Sequence, residues 1–298
     1  MKILLAADGS ENSEGAARFL RCLNLSSEDE ITIFHALYWI PFLYDKESYY
    51  GTLKEIKEEI APRIIDSAFE ILKPVKAKIC TAIIEGPPEE CLIDAAMDSD
   101  MDMIVMGARG IKGIKSLFIG SVTRSVAIKS PKPVLVTKLP ACESPEKIKI
   151  LFATDGSDYS FATGEFLSKI PFPYNTEITI LSVMPSEFLD IPEMYAPEMV
   201  KQFIELAEKF RSMRLIESER ITNQAREYLG KRFRSINVLS EAGDPSTEIL
   251  KTAETLKTDL IAVGCRGLRG IKGMMGSVSR NVLSYSRCSV LIGKTCKE

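Results

Sequence analysis

The chain has 298 residues, so at roughly 150 residues per domain two domains are expected. Lys and Arg number 38 against 41 Asp and Glu, a net charge of -3, which supplies no basic excess for gripping nucleic acid. Hydrophobic residues at 45% and charged residues at 27% describe a globular chain, and the single histidine, His35, excludes His-rich zinc sites, H-E-x-x-H proteases and paired catalytic histidines.

In chain order, short apolar runs alternate with helical patterns. Ile3–Ala7, Ile31–Leu37, Ala77–Ile84, Met103–Met106 and Val134–Thr137 read as strands buried on both faces of a parallel sheet. Glu11–Leu23, Leu53–Leu72, Pro88–Met97 and Ser121–Lys129 read as the helices between them. Leu53, Ile56, Ile60, Ile64, Ala68 and Leu72 form one apolar stripe, and Pro62 is expected to kink or break that helix. Neither Ile3–Ala7 nor Ile31–Tyr44, interrupted by Thr32, His35 and Pro41, suits a secretory or membrane segment. Seven cysteines (Cys22, Cys80, Cys91, Cys142, Cys265, Cys288 and Cys296) form no C-x-x-C pair, as in a reducing compartment. A cytoplasmic protein is expected.

The pattern then repeats. Residues 2–10, KILLAADGS, return as KILFATDGS at 149–157, and Ile31-Thr-Ile-Phe returns as Ile178-Thr-Ile-Leu. Met103-Ile-Val-Met-Gly107 matches Leu260-Ile-Ala-Val-Gly264, and Pro133-Val-Leu-Val matches Ser289-Val-Leu-Ile. Two doubly wound α/β domains follow, at 1–140 and 147–298, with 141–146 as linker. Residues 198–229 hold ten extra residues in helical spacing, expected as a bent core-facing helix, with a protruding arm as the alternative. Tyr38, Trp39, Phe42, Tyr44, Tyr49 and Tyr50 crowd the connection after the second strand and are expected to pack over the helix and domain interface. A partner patch or a lid is the other reading.

In such sheets ligands bind beyond the carboxyl ends of the strands. There Asp8-Gly9-Ser10 and Asp155-Gly156-Ser157 suit helix-capping turns as well as ligand contacts. More specific is Gly107-Ala-Arg109-Gly110, followed after nine residues by Gly120-Ser121-Val122-Thr123 at a helix start. Glycines admit an anion close to the backbone, and the helix start offers free amides. Ser121 and Thr123 are expected to add hydroxyl donors, and Arg109, Lys112 and Lys115 to add positive charge. A strand end and a simple cap are the plainer reading. No G-x-x-x-x-G-K-[ST] occurs, since Cys288 precedes Gly293-Lys294-Thr295 where a glycine is needed, and no G-x-G-x-x-G follows the first strand.

Gly107, Gly110, Gly120 and Ser121 make the sequence resemble the universal stress protein family in its tandem form, whose pattern is G-x2-G-x9-G-[ST]. The resemblance implies strand order 3-2-1-4-5 in each half and pairing of the last strands into a pseudo-dimer. It also implies an ATP-type nucleotide (ATP, ADP or AMP, with or without Mg) with adenine near Asp8 and phosphates at Gly107–Gly120. Ala6, Ala36, Met106, Val122 and Thr123 come with it as pocket wall, beside Arg109. In the second half the same positions are Asp155, Val183, Val263, Gly264, Arg266, Gly267, Gly276, Ser277, Val278 and Ser279. Only eight residues separate Gly267 from Gly276, so the second site is expected to be the weaker, unless Gly270 and Gly273 let the loop re-close. A nucleotide-gated binding or regulatory module is the leading expectation, and a homodimer of such chains a further one. A slow ATPase or related enzyme and a scaffold without nucleotide are the alternatives. The loop carries Arg and Lys rather than a carboxylate to position water, which argues against fast hydrolysis.

Overall fold

The computed structural model describes residues 1–38, 46–110, 119–140, 147–185, 200–268 and 275–295. Trp39, Phe42, Tyr44, Lys112, Lys115, Gly270, Gly273, the side chains of Tyr49 and Tyr50, and the proposed linker 141–146 lie outside them. The first half runs β1 (Lys2–Ala6), α1 (Glu11–Arg21), β2 (Glu30–Leu37), α2 (Lys46–Leu72), β3 (Lys78–Glu85), α3 (Pro88–Asp98), β4 (Met103–Gly107), α4 (Ser121–Lys129) and β5 (Val134–Thr137). The second half repeats it as β6 (Lys149–Ala153), α5 (Asp158–Lys169), β7 (Glu177–Met184), α6 (Val200–Leu229), β8 (Ser235–Ala242), α7 (Pro245–Leu256), β9 (Leu260–Gly264), α8 (Ser277–Tyr285) and β10 (Ser289–Gly293). Within each half the strands are parallel and ordered 3-2-1-4-5.

The two five-stranded sheets become one of ten strands because β5 and β10 pair antiparallel, with Leu135 opposite Leu291. Parallel sheets need helices on both faces to cover apolar strands. Here one core contains Phe19, Phe152, Ile178 and Leu229 on one face, and another contains Phe34, Val126, Val263 and Val282 on the other. Two predicted details are corrected. Helix α2 passes unbroken through Pro62, where the missing N–H removes a single bond from the ladder. Its stripe holds at Ala68 and Leu72, which are buried, and at Ile64, which packs against the core. Ile60 is exposed and Ala61 and Ile65 are buried instead, while the side chains of Leu53 and Ile56 lie outside those described. Helix α6 is a single element of 30 residues, and among its described side chains Ser218, Ile221, Ala225 and Leu229 are buried. Met213 and Ile216, a turn or more earlier, are exposed, as is Tyr38 at the end of β2.

Two lysines cross the junction in pseudo-twofold fashion. Lys138 Nζ donates to the Leu283 and Ser286 carbonyl oxygens (2.8 and 2.6 Å) and to Ser286 Oγ (3.0 Å), at the C-terminal end of α8. Lys294 Nζ donates to the Ala127 and Ile128 carbonyls (2.9 and 3.2 Å) at the end of α4. Each half thus caps the last-turn carbonyls of a helix in the other, where the helix dipole favours a cation. Burial pushes the Lys138 ammonium down from its ordinary 10.5 to about 8, with nearby Arg109 acting the same way and Cys288 opposing. Below about pH 8 the lysine is charged both folded and unfolded; between about 8 and 10.5 the unfolded chain holds more protons, so stability rises with pH across that window. The melting midpoint of the parent protein is therefore expected to climb relative to a Lys138→Met variant between pH 8 and 10. A flat difference would show that Lys138 titrates at its ordinary value.

Candidate functional site

The candidate residues gather where β1 and β4, or β6 and β9, end. Gly9 and Gly156 take φ of +79° and +75°, a left-handed turn that turns each chain from strand to helix. Ser10 Oγ then accepts from Ser13 N at 3.2 Å and Ser157 Oγ from Ser160 N at 3.3 Å, capping α1 and α5. Asp8 Oδ1 accepts from Ser10 N, and Asp155 Oδ1 from Ser157 N, both at 3.0 Å. The capping reading of these turns is therefore satisfied in full.

The second oxygen of each aspartate does something a cap does not need. A Cβ on Gly110 would lie 2.5 Å from Asp8 Oδ2, and one on Gly267 would lie 2.6 Å from Asp155 Oδ2. A side chain at either glycine would force the carboxylate or the loop to shift. In the second half that oxygen also accepts from Leu268 N at 3.0 Å, tying the glycine loop to the turn after β6. Gly107 and Gly264 are demanded by packing: a Cβ there would meet the backbone of Asn12 at 2.6 Å and of Ser160 at 2.9 Å. Gly120 and Gly276 differ, with nearest contacts of 3.5 Å, so the protein itself leaves room beside them.

Gly120 and Gly276 are the N-caps of α4 and α8, and neither helix start receives a side-chain cap. Ser121 and Ser277 open the helices and are exposed. Thr123 corrects the expectation of a hydroxyl donor: its Oγ1 donates to the Gly107 carbonyl at 2.9 Å, and Ser279 Oγ donates to Gly264 at 2.8 Å. These hydroxyls fasten the helix start to the strand end, and the backbone amides there have no side-chain cap. Ala6, Ala36 and Val122 are half-buried and Met106 is buried, at the edge of the first-half core. The backbone carbonyl of Arg109 accepts from Ser10 Oγ at 3.3 Å. Arg266 donates through Nη1 to the Tyr159 hydroxyl, its guanidinium 5.1 Å from that ring's centre.

In the second half these parts line a half-open cavity of about 580 Å³. Asp155, Val183, Val263, Gly264, Arg266, Gly267, Gly276, Ser277, Val278 and Ser279 all line it. Sequence reasoning missed Thr154, Ser182, Ser218, Arg214 and Glu217, which line it too. The last three sit on α6, the helix lengthened by the extra residues, and a comparison of that helix with α2 would have drawn attention to them. Arg214 Nη1 donates to the Pro185 carbonyl. Glu217 is held by both its oxygens on Arg220, at 2.9 and 2.7 Å.

These observations define a class: a duplicated, doubly wound α/β protein whose halves join through their last strands and carry spaced glycines at the carboxyl edge of each sheet. The sequence model of the universal stress protein family matches residues 1–138 and again 148–294. A universal stress protein of Mycolicibacterium smegmatis is 23% identical over 297 residues, covering 97% of this chain and 96% of its own. Universal stress protein MJ0577 of Methanocaldococcus jannaschii is 27% identical over 152 residues, 46% of this chain and 94% of its own. The crystal structure of a universal stress protein from Archaeoglobus fulgidus shares the fold with a TM-score of 0.66, at 23% identity and 98% coverage of both chains. The chain belongs to the universal stress protein family.

Proposed function

We propose that the protein binds an adenine nucleotide of the ATP type in each half and works as a nucleotide-gated binding or regulatory module. One observation carries the reading: the second-half positions expected from the glycine pattern all line one cavity, with an uncapped helix start at its edge. Volumes of roughly 300–1,000 Å³ suit small-ligand sites, and the amides of α4 and α8 suit phosphate oxygens. The apolar Val183, Val263 and Ile249 suit the base. Among the described residues no group of three or more His, Cys, Asp or Glu side chains could hold a metal. A Mg ion that takes part would come on the phosphates.

Binding is favoured over hydrolysis because both carboxylates lining the described cavity are engaged. Asp155 accepts from Ser157 and Leu268, and Glu217 is paired with Arg220. A general base must be basic as well as within reach of a water, and the pairing with Arg220 holds the Glu217 carboxyl below its ordinary range. Mass spectrometry of small molecules released from the denatured, purified protein tests the reading, together with calorimetric titration of ATP into the parent and the Asp155→Ala variant. An adenine nucleotide is expected in the first measurement. The second should show affinity lower by roughly three- to a hundredfold, since the loop loses its tether to the turn. A lowered melting temperature with unchanged affinity per folded molecule would return Asp155 to a purely structural role.

A further inference from the structure

The two halves differ in chemistry on the sheet face covered by α2 or α6. Register places Ser182 of β7 beside Ser240 of β8, with Thr154 following β6 on the other side. Ser218 of α6 lies over this row, its Oγ 2.8 Å from Ser240 Oγ. The matching first-half positions are His35, Ile83, Ala7 and Ala61, so four hydroxyls stand where that half has an imidazole and three apolar side chains. His35 Nδ1 is satisfied by the Ala7 carbonyl at 2.7 Å. Thr154 Oγ1 is likewise used, donating to Ser160 Oγ at 3.0 Å and accepting from Gly156 N at 3.3 Å.

Ser182 is different. It is only 4% exposed, it lines the cavity, and its hydroxyl has no hydrogen-bond partner among the described residues. Nor is that hydroxyl sealed away: the fully enclosed, unpartnered side-chain oxygen among the described residues is that of Thr176. A buried hydroxyl without a partner is costly unless something supplies one. It lines the same cavity as the uncapped start of α8.

From this we infer that the hydroxyl-lined compartment receives the neutral, hydrogen-bonding end of the ligand whose anionic end meets α8. Resting on the nucleotide reading above, that end is the base, which belongs near Asp155 and its neighbour Thr154. A serine hydroxyl turns to donate or to accept. Ser182 therefore meets an oxo group as well as an amino group, and the second half takes 6-oxo and 6-amino purine nucleotides alike. The second-half ligand class is purine nucleotides in general.

The test uses the full chain carrying Gly110→Val, which silences the first half, titrated with ATP and with GTP by calorimetry. The two nucleotides are expected to bind within about fivefold of each other. Adding Ser182→Ala should weaken both by roughly three- to tenfold, the loss of one neutral hydrogen bond, with the melting temperature essentially unchanged. GTP weaker than ATP by about a hundredfold or more would overturn the inference and leave the nucleotide site standing. So would affinities that Ser182→Ala does not move. If neither nucleotide binds this protein or its parent, the nucleotide reading falls and this inference with it.

Discussion

Gly110→Val and Gly267→Val, made singly in the full chain, are each expected to abolish nucleotide binding in their own half and leave the other half intact. A Cβ at either position lies 2.5 or 2.6 Å from the Oδ2 of Asp8 or Asp155, inside any allowed contact. The aspartate can swing away only by giving up the backbone N–H that its Oδ1 accepts at 3.0 Å from the cap residue. Either that cap or the loop shifts, and with the loop go the amides expected to meet the phosphates. A loss of about a hundredfold or more is the expected readout, with a shift of only a few degrees in melting temperature. Gly120→Ala is the informative contrast: its Cβ makes ordinary contacts within the protein, nearest 3.5 Å. Lost affinity there would mean that the ligand itself passes over Gly120, whereas unchanged affinity would move the phosphates elsewhere. The same single variants rank the sites. With one residue fewer between Gly267 and Gly276, the second half should bind ATP more weakly by roughly ten- to a hundredfold, the worth of one charge-assisted hydrogen bond. Equal affinities would show that the shorter loop recovers the contact.

Leu291→Ala should be the most damaging conservative change at the junction. Leu291 is fully buried in β10, opposite Leu135 of β5, which is 2% exposed. Removing a buried leucine side chain costs about 2–5 kcal/mol, from lost transfer energy and the cavity left behind. Amide hydrogen exchange of the buried strands β1 and β4 across a denaturant titration reports the first half. Because both leucines belong to one core, exchange of those strands should open at lower denaturant although the mutation is in the second half. A β1 and β4 transition that stays in place would show that the halves unfold independently.

Each half's elements were legible along the chain because their causes are local. Runs such as Ile31–Leu37 can only be covered on both faces, and Glu11-Asn-Ser-Glu after Ser10 announces a capped helix. The repeat of KILLAADGS as KILFATDGS made the duplication visible, and the spaced glycines marked the sheet edge where a ligand would sit. Other features were invisible because their partners are far apart in sequence or depend on rotation about an axis. The stripe of α2 could be mistaken by one position, leaving Ile60 outside, since a helix of this length presents several plausible apolar arcs. Thr123 read as a free donor, but only the folded chain brings the Gly107 carbonyl within 2.9 Å of it.

The sequence by itself determined the class of fold, its duplication and the glycine-marked edge, because strand burial, helix capping and backbone freedom are properties of neighbouring residues. Tertiary structure alone decided the rest. It set the antiparallel seam of β5 and β10, the lysines that reach across it, and the alignment of Thr154, Ser182, Ser218 and Ser240 into one hydroxyl-lined surface. Those serines and that threonine come from separate segments, and each alone is an unremarked polar residue. Only strand register and the docking of α6 place them together, and register is fixed by the burial of whole faces rather than by any residue in the row.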